Sequence, residues 1–326
     1  MGILNGIRVL DLGRYIAAPW CAQLLADMGA DVIRIERPGG EPDRLRGPLS
    51  SSGVSLYYVA LNRNKKAVTL DLSSIEGRRL LSQLVKTSDV LIHNHPAQRA
   101  KILGLSYPRL KKINPKLIYL GISGFGASSP YSAYPAFDPI IQAMCGATDM
   151  TGFSNNGPTM SHVPYVDFTT GLYGALAVSL ALFERNASGF GQSIDLALYS
   201  AALSLVASYG VIAEFAVNKT SRRSVGNDFI YAVGGVFPTI DGRIVISSIG
   251  DGLWKRLCIV INRSDLLSNP RLSNDMARYK NRDLVNAAIG GWTSLRTTDN
   301  ATATLLESGI PTSPIVKISE VEKMSE

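Results

Sequence analysis

The sequence predicts an α/β fold with a large domain built on a doubly wound parallel sheet and a smaller α+β domain. Short apolar strands alternate with helices through residues 1–217, which is the pattern of a parallel sheet. The stretch 218–228 is polar and basic and indicates a linker. Beyond it, Asp241-Gly242 between two apolar runs is a strong hairpin signal. The small domain is therefore predicted to occupy residues 229–326.

The strands predicted for the large domain are short apolar runs, and its helices follow them. The strands are 7–12, 31–36, 67–72, 89–92, 117–122 and 193–198. The helices are 17–28, 74–86, 139–145, 171–183 and 199–217, with Ser74 as a plausible N-cap of the second. In the small domain, strands 232–238 and 243–248 flank the hairpin turn, and helices are predicted at 254–261, 282–290 and 301–308.

Parallel sheets of this kind bind ligands beyond the carboxyl ends of their strands. The sequence supplies three polar loops there, Glu36-Arg37-Pro38, Asp71-Leu72-Ser73 and His93-Asn94-His95. The first strand is followed by GRYIAAP rather than a G-x-G-x-x-G loop, which argues against a nicotinamide dinucleotide.

Composition narrows the class of partner. Hydrophobic residues make up 46% of the 326, which is enough for a sizeable core, and 33 basic against 26 acidic residues give a net charge of +7. This balance suits an anionic partner. Because the cations are dispersed and not interleaved with aromatic residues, a polyanionic small ligand fits better than nucleic acid. We expect no membrane association.

Cysteine and histidine usage indicates a reducing compartment and no metal site. Cys21, Cys145 and Cys258 are odd in number and far apart, with no metal-ligand spacing. The chain has three histidines, which argues against a histidine-based metal site. The polar start of the sequence does not resemble a secretory signal. We therefore expect a cytoplasmic protein.

Asp167 stands just before the apolar run 171–183. That run predicts a buried helix, and at 13 residues it is shorter than the roughly 20 that span a bilayer. Backbone N–H groups at a helix N-terminus favour an ionised carboxylate. Asp167 is therefore either an N-cap or a nucleophilic carboxylate at the floor of a pocket.

A collinear set of motifs resembles a known family. The opening GIRVLDLGRYIAAPWCAQLLADMGADVIRIERPGG is similar to the start of class III (CaiB/BaiF-type) coenzyme A transferases. This family includes formyl-CoA transferase, carnitine CoA-transferase and α-methylacyl-CoA racemase. Further matches follow in order along the chain: LNRNKKAVTLDL, SDVLIHN, INPKLIYLGISGFG, FDPIIQAMCG, VDFTTGLYGALA and GIPTSPI.

The resemblance implies a Rossmann-like large domain, a smaller domain and two subunits interlocked like chain links. It implies a homodimeric enzyme that transfers coenzyme A between an acyl-CoA and a carboxylic acid acceptor. No cofactor beyond coenzyme A is expected. Family members usually continue past the GIPTSPI motif with a segment that returns to the large domain. That segment is absent from this sequence, so we expect a less completely interlocked dimer.

The resemblance also assigns roles to residues. The family's nucleophilic aspartate falls on Asp167, with Val166 in place of the usual glycine. Arg37 matches an arginine near the nucleotide end of coenzyme A. The other matching positions form two strand-end loops and a loop over the thioester: Leu70, Asp71, Leu72 and Ser73, then Asn94, His95 and Pro96, then Pro135, Ala136, Phe137 and Asp138. Asp138 is either a second acid that tunes Asp167 or, as we favour, a cap for helix 139–145.

Departures from the family pattern bear on the reaction. Ile16 replaces a polar residue of formyl-CoA transferase, and Ile102 replaces an arginine found after the Asn94 loop in many members. Phe137 stands where the racemases carry histidine and cannot carry a proton, so racemisation ranks below transfer. His162, five residues before Asp167 in the sequence, is the imidazole that a racemase reaction could use instead. Ile16 and Phe137 suggest an apolar acyl group. A non-catalytic homologue that binds coenzyme A is the third alternative.

Overall fold

The computed structural model describes residues 2–322. The chain divides into two compact units. The first comprises the residues up to Asp149 together with Met160–Arg222, and the second comprises Met150–Thr159 together with the residues from Arg223 onward. The division at Arg222 lies inside the segment predicted as a linker, whereas the assignment of Met150–Thr159 to the second unit was not predicted.

The first unit contains a six-stranded, all-parallel sheet, which confirms the predicted fold class. Its strands are β1 (Arg8–Leu12), β2 (Asp31–Glu36), β3 (Lys65–Thr69), β4 (Val90–His93), β5 (Ile118–Ser123) and β6 (Ser193–Ala197), and their spatial order is β3-β2-β1-β4-β5-β6. Leu10 of β1 pairs with Ile33 on one side and Leu91 on the other. The order brings the carboxyl ends of β3, β2, β1 and β4 to one edge of the sheet.

Ten helices lie between the start of the chain and residue 222 in the part that the structure describes. They are α1 (Ala17–Asp27), α2 (Leu56–Asn62), α3 (Ile75–Lys86), α4 (Ala97–Ile102), α5 (Tyr107–Ile113), α6 (Asp138–Met144), α7 (Ala147–Met150), α8 (Tyr165–Ser188), α9 (Leu198–Ser208) and α10 (Val211–Asn218), with a 3-10 turn at Pro42–Leu45. Ser74 caps α3 as predicted, because its Oγ accepts from Gly77 N at 2.9 Å. The short helices α2, α4 and α5 were not predicted.

Helix α8 is longer than the sequence suggested. It has 24 residues and begins at Tyr165, six residues before the predicted start. The expected length of 13 residues is therefore wrong. By length and by its mean hydropathy of 1.5 the helix could cross a membrane, but 44% of the most apolar stretch is buried within the protein. It packs along α1 in the first unit.

Glycines permit a close approach between α8 and α1. A Cβ on Gly171 would lie 2.6 Å from the carbonyl oxygen of Ala17, and a Cβ on Gly174 would lie 3.1 Å from Cys21 Sγ. The first distance is too short for any real side chain, so residue 171 must be glycine for this packing. The start of α8 is thereby fixed against the start of α1.

Two predicted elements are misplaced. The helix predicted at 199–217 is broken at Gly210, which has φ of +84°, and α9 and α10 meet at a bend of 64°. The strand predicted at 67–72 lies two to three residues earlier, as β3. It is an edge strand that pairs with β2, and most of its side chains are exposed.

The second unit is an α+β structure. Its antiparallel sheet has the order β7 (Val233–Pro238), β8 (Arg243–Ser248) and β9 (Thr312–Pro314), so the predicted hairpin is confirmed. Its helices are α11 (Asp251–Val260), α12 (Asp275–Lys280), α13 (Arg282–Thr293), α14 (Thr298–Glu307) and α15 (Ile318–Val321), with 3-10 turns at Ser264–Ser268 and Pro270–Leu272. Its core includes Trp254, Leu257 and Ile289.

Candidate active site

A buried ion network fixes the turn after β2. Arg34 on β2 is 1% exposed. Its guanidinium donates to Glu36 Oε1 at 2.9 Å and to Asp43 Oδ2 at 2.7 Å. Asp11 at the end of β1 accepts from Lys65 Nζ at 2.9 Å. Removing one partner from such a network would leave a buried charge unpaired, which is strongly destabilising. The 3-10 turn that carries Asp43 is therefore held firmly at the sheet edge.

This turn leads directly to Arg46, which a capping serine holds next to helix α2. Ser55 Oγ accepts from Tyr58 N at 3.0 Å as the N-cap of α2, and it donates to the carbonyl oxygen of Arg46 at 2.6 Å. The Arg46 guanidinium lies 5.8 Å from the centre of the Tyr57 ring. One serine thus positions both Arg46 and Tyr57.

A pair of aromatic residues comes from the loop after β1 and the segment before α6. Tyr15 has φ of +63°, in the left-handed region, and its ring packs edge-on against Phe137 with centroids 5.5 Å apart. Asn94 at the end of β4 binds the backbone of Arg14, accepting from its N at 2.8 Å and donating to its O at 2.7 Å. These contacts fix the loop that ends at Ile16.

Asp138 caps helix α8, although it is the first residue of α6. Its Oδ2 accepts from the backbone N of Val166 at 2.8 Å and of Asp167 at 3.1 Å. Its Oδ1 accepts from Gln142 Nε2 at 2.5 Å, and Gln142 in turn accepts from Ser161 N at 3.0 Å. The preferred prediction that Asp138 caps its own helix is therefore wrong, because the backbone N–H groups that it accepts from belong to α8, and its contact within α6 is with the side chain of Gln142.

Asp167 is the third residue of α8, so the N-cap interpretation of Asp167 is also wrong. Pro164 occupies the N-cap position. In the part of the chain that the structure describes, the Asp167 carboxylate accepts no hydrogen bond. Burial, and then the charge of Asp138, raise the pKa of Asp167 to about 7, while the charge of Arg46 lowers it. A carboxyl with this pKa is ionised in about half of the molecules near neutral pH.

Asp167 opens into a cavity of about 540 Å³ in the first unit. This is a typical volume for a small-molecule site. The cavity joins an ionisable carboxyl to a cation and to aromatic and apolar walls. It is lined by Tyr15, Ile16, Arg46, Tyr57, Phe137, Asp138, Pro139, Met160, Ser161, His162, Pro164 and Asp167.

The profile of one family, described as CoA-transferase family III, matches residues 4–326. The chain belongs to CoA-transferase family III. It is 34% identical over 98% of its length to a succinate–glutarate CoA-transferase of Agrobacterium fabrum and covers 81% of that protein. It is also 34% identical, over 98% of its length, to a succinyl-CoA–D-citramalate CoA-transferase of Chloroflexus aurantiacus and covers 79% of that protein.

A solved structure of a CaiB/BaiF family protein from Brucella suis has the same fold. The two superpose with a TM-score of 0.87 at 33% identity, over 99% of this chain and 86% of the other. The chain is thus a CoA-transferase, and the predicted family is confirmed. Enzymes of this class act on an acyl-CoA and a carboxylic acid.

In this CoA-transferase, the residues predicted to bind coenzyme A fall into two groups. Residues 37, 70–73 and 94–96 follow β2, β3 and β4, and so lie along one edge of the sheet. They do not line the cavity that holds Asp167. Phe137 and Asp138 do line it, and Pro135 and Ala136 precede them at the start of α6. Arg37 is exposed, and its Nε donates to Gly40 O at 3.0 Å.

His95 contributes a neutral ring to the loop after β4. Burial, and then the charges of Arg14 and Arg99, lower the pKa of His95 to about 4. Its backbone N donates to His93 Nδ1 at 3.1 Å, and the other ring nitrogen of His93 lies 2.5 Å from Tyr119 Oη. His95 therefore adds no positive charge to the CoA-transferase at neutral pH.

Sequence reasoning missed several residues that line the cavity of this CoA-transferase. Arg46 directly follows a 3-10 turn and Tyr57 lies in a seven-residue helix, and neither element has a clear apolar period. Tyr15 was passed over because nothing in the sequence marks its left-handed conformation. Sequence spacing does not predict that Arg46 lies near Asp138 and Asp167, because segments far apart in the chain build the cavity.

Proposed function

We propose that this enzyme transfers coenzyme A from an acyl-CoA to a carboxylic acid through a covalent intermediate on Asp167. One observation carries the proposal. Asp167 lines the cavity, has a pKa raised to about 7 by burial and by the charge of Asp138, and accepts no hydrogen bond on its carboxylate from the described residues. A carboxylate whose lone pairs are not engaged by donors, and which is poorly solvated, is a stronger nucleophile than one in water.

The reaction balances without any other reagent. A carboxylate oxygen of Asp167 attacks the thioester carbonyl carbon, the C–S bond breaks, and an anhydride and the CoA thiolate result. The thiolate then attacks the Asp167 carbonyl carbon of the anhydride. The donor acid leaves as its carboxylate, and an aspartyl-CoA thioester remains. The acceptor carboxylate repeats these two steps in reverse order, which yields the new acyl-CoA and restores Asp167 with no net change in protons.

Coenzyme A is proposed to lie along the sheet edge, where the loops after β2, β3 and β4 meet. Arg37 supplies an exposed guanidinium there, and guanidinium groups bind phosphates through two parallel hydrogen bonds. The polar residues of 70–73 and 94–96 would contact the rest of the ligand. Since the relatives in Agrobacterium and Chloroflexus are named for succinyl-CoA or succinate, succinyl-CoA is the first donor to test.

The deciding experiment traps the intermediate. The protein is incubated with succinyl-CoA and examined by intact mass spectrometry, with and without hydroxylamine. A CoA adduct that hydroxylamine converts to a hydroxamate on Asp167 is expected. Asp167→Asn should form none, and Asp149→Asn, an exposed carboxyl of the same unit, should form it normally. An adduct in Asp167→Asn would overturn the assignment. Binding of CoA without any adduct in the wild type would favour a non-catalytic homologue.

Racemisation at the carbon next to the thioester is the competing reaction. It requires an acid–base pair around that carbon, and Phe137 cannot serve as one member. We therefore expect no catalysed incorporation of solvent deuterium into a 2-methylacyl-CoA. Rapid incorporation that depends on Asp167 and His162 would favour the racemase alternative.

We further propose that the enzyme is a cytoplasmic homodimer. Leu172, Leu176 and Leu180 follow one another at helical spacing on α8 and are 59%, 53% and 60% exposed. An apolar stripe of this kind is typical of a protein interface. The three buried free cysteines suit a reducing compartment. Sedimentation equilibrium tests the dimer, and a monomer at micromolar concentration would contradict it.

A further inference from the structure

Arg46 is an exposed arginine that lines the cavity. Among residues 2–322, its guanidinium forms no ion pair and no hydrogen bond, although a guanidinium carries five N–H donors. The neighbouring arginines differ in this respect. Arg34 is paired with Asp43 and Glu36, and Arg44 donates to Glu36 and Tyr58. Arg46 alone of the three turns to the cavity.

The two acids of the cavity do not supply that partner. Both oxygens of Asp138 already accept hydrogen bonds, from Gln142 and from the first N–H groups of α8. Asp167 becomes uncharged whenever it carries an acyl group or CoA, under the proposed mechanism. Through the covalent part of the cycle, the exposed guanidinium of Arg46 therefore faces water alone, and it is free to pair with a negative group that a substrate brings.

We infer that Arg46 binds the far carboxylate of a dicarboxylic substrate, and that it thereby determines the acyl group and the acceptor acid. The inference rests on the proposed function, since it needs Asp167 to be the group that takes the near carboxylate. It differs from the expectation of an apolar acyl group that Ile16 and Phe137 suggested. Those residues would instead pack against the short methylene chain between the two carboxylates.

The backbone at Arg46 is built to hold a fixed position. Its carbonyl accepts from Ser55, and the turn before it is anchored by the buried pair between Arg34 and Asp43. Tyr57 packs beside the guanidinium. Burial and the nearby charge of Asp167 raise the pKa of Tyr57, so its hydroxyl stays protonated and remains a donor. With its backbone anchored and its guanidinium 5.8 Å from the Tyr57 ring, Arg46 can bind a carboxylate in the cavity through two parallel hydrogen bonds.

The same contact would serve both halves of the reaction. The donor acid and the acceptor acid occupy the cavity in turn, and each is joined to Asp167 through one carboxylate. If both are dicarboxylic acids, each presents a second carboxylate at a similar distance. One arginine therefore suffices for both, and monocarboxylic acids are rejected because they leave the guanidinium without a partner.

The test compares acceptor acids of equal chain length, with glutarate as the dicarboxylic acid and valerate as the monocarboxylic acid. The measured quantity is the ratio of kcat/KM for glutarate to kcat/KM for valerate, with succinyl-CoA as donor. We expect glutarate to be preferred by the wild type. Arg46→Met should lower the ratio by about 10- to 100-fold, the effect of losing a charge-assisted hydrogen-bonded pair. Arg46→Lys, which keeps the charge but not the fork, should lower it less.

Arg79→Met is the matched control, because Arg79 is an exposed arginine on α3 paired with Glu76. Its ratio should equal that of the wild type. Two results would overturn the inference: equal preference for both acids in the wild type, or equal losses on both acids in Arg46→Met. Equal losses would make Arg46 a general stabiliser of the reaction or a residue needed for folding.

A second measurement separates a local role from misfolding. Because the charge of Arg46 lowers the pKa of Asp167, Arg46→Met should move the midpoint of the pH profile for valerate to higher pH. A misfolded variant would lose activity without such a movement, and an unmoved midpoint would contradict the placement of Arg46 beside Asp167. Failure of the covalent mechanism is recognised separately, since Asp167→Asn would then retain transfer whatever Arg46 does.

Discussion

Asp167 is expected to destabilise the folded protein at neutral pH, so Asp167→Asn should stabilise it. The pKa is about 7 in the folded protein against an ordinary value of 3.8. Between these values the unfolded chain has lost the proton and the folded chain keeps it. The free energy of unfolding therefore falls as pH rises through this window and is constant above about pH 7. Asparagine cannot ionise and escapes this loss.

The size of the effect follows from the two pKa values. At about 1.36 kcal/mol for each pH unit, the difference between 3.8 and about 7 gives an upper limit of about 4 kcal/mol. The Asp167 side chain is partly exposed to the cavity, and solvent screening reduces the effect. We expect Asp167→Asn to be more stable than the wild type by about 2–3 kcal/mol above pH 7, and equally stable near pH 4.

Urea unfolding of both proteins at matched concentration, from about pH 4 to about pH 8, measures this difference. Asp241→Asn is the control. Hydrogen bonds from Thr298 lower the pKa of Asp241, so Asp241 is ionised in both folded and unfolded states above about pH 5. Its stability difference should not change with pH in that range. Two results would refute the reasoning. One is a difference in the free energy of unfolding between Asp167→Asn and the wild type that does not change with pH, and the other is a wild type that is more stable than Asp167→Asn at pH 8.

Three further predictions concern ligand binding, the pKa of Asp167 and the packing of helix α8. Arg37→Ala should raise the Kd for CoA by about tenfold and leave binding of a dephosphorylated pantetheine unchanged; equal losses would place Arg37 away from the phosphates. Asp138→Asn should move the midpoint of the kcat/KM pH profile below its expected value near 7, because the charge that raises the pKa of Asp167 is removed; an unmoved midpoint would contradict this. Gly171→Ala should lower the free energy of unfolding by about 1–3 kcal/mol, since its Cβ would lie 2.6 Å from a carbonyl oxygen of α1. Gly291→Ala in α13, where a Cβ meets open space, should not destabilise the protein.

The fold was predictable for the elements that are buried, because buried elements have an apolar pattern in the sequence. Strand β2 has its predicted bounds, because a central strand is covered on both faces. Strand β3 was misplaced, because its edge position exposes most of its side chains and removes the pattern. The break at Gly210 was missed because an apolar run continues through it, and periodicity does not register a single left-handed residue.

The site was predictable only in part, because contacts far apart in the sequence build it. The start of α8 was missed, since Asp138, which caps it, lies 28 residues before Val166. The motif around Asp167 was readable as a candidate nucleophile, which stays a prediction. Arg46 was not readable, because its position depends on a buried ion network and on a serine nine residues later.

The side chain of Asp138 affects both the start of helix α8 and the pKa of Asp167. It caps the start of helix α8 by accepting from two backbone N–H groups, and its charge raises the pKa of Asp167. A substitution of Asp138 that changes the pKa of Asp167 would therefore also loosen the start of the helix that carries Asp167. The charge of Arg46, which lowers the pKa of Asp167, is a second charge that sets this pKa. If Arg46 also binds the far carboxylate, a substitution of Arg46 that shifts the pH profile of activity would also change which acids the enzyme accepts.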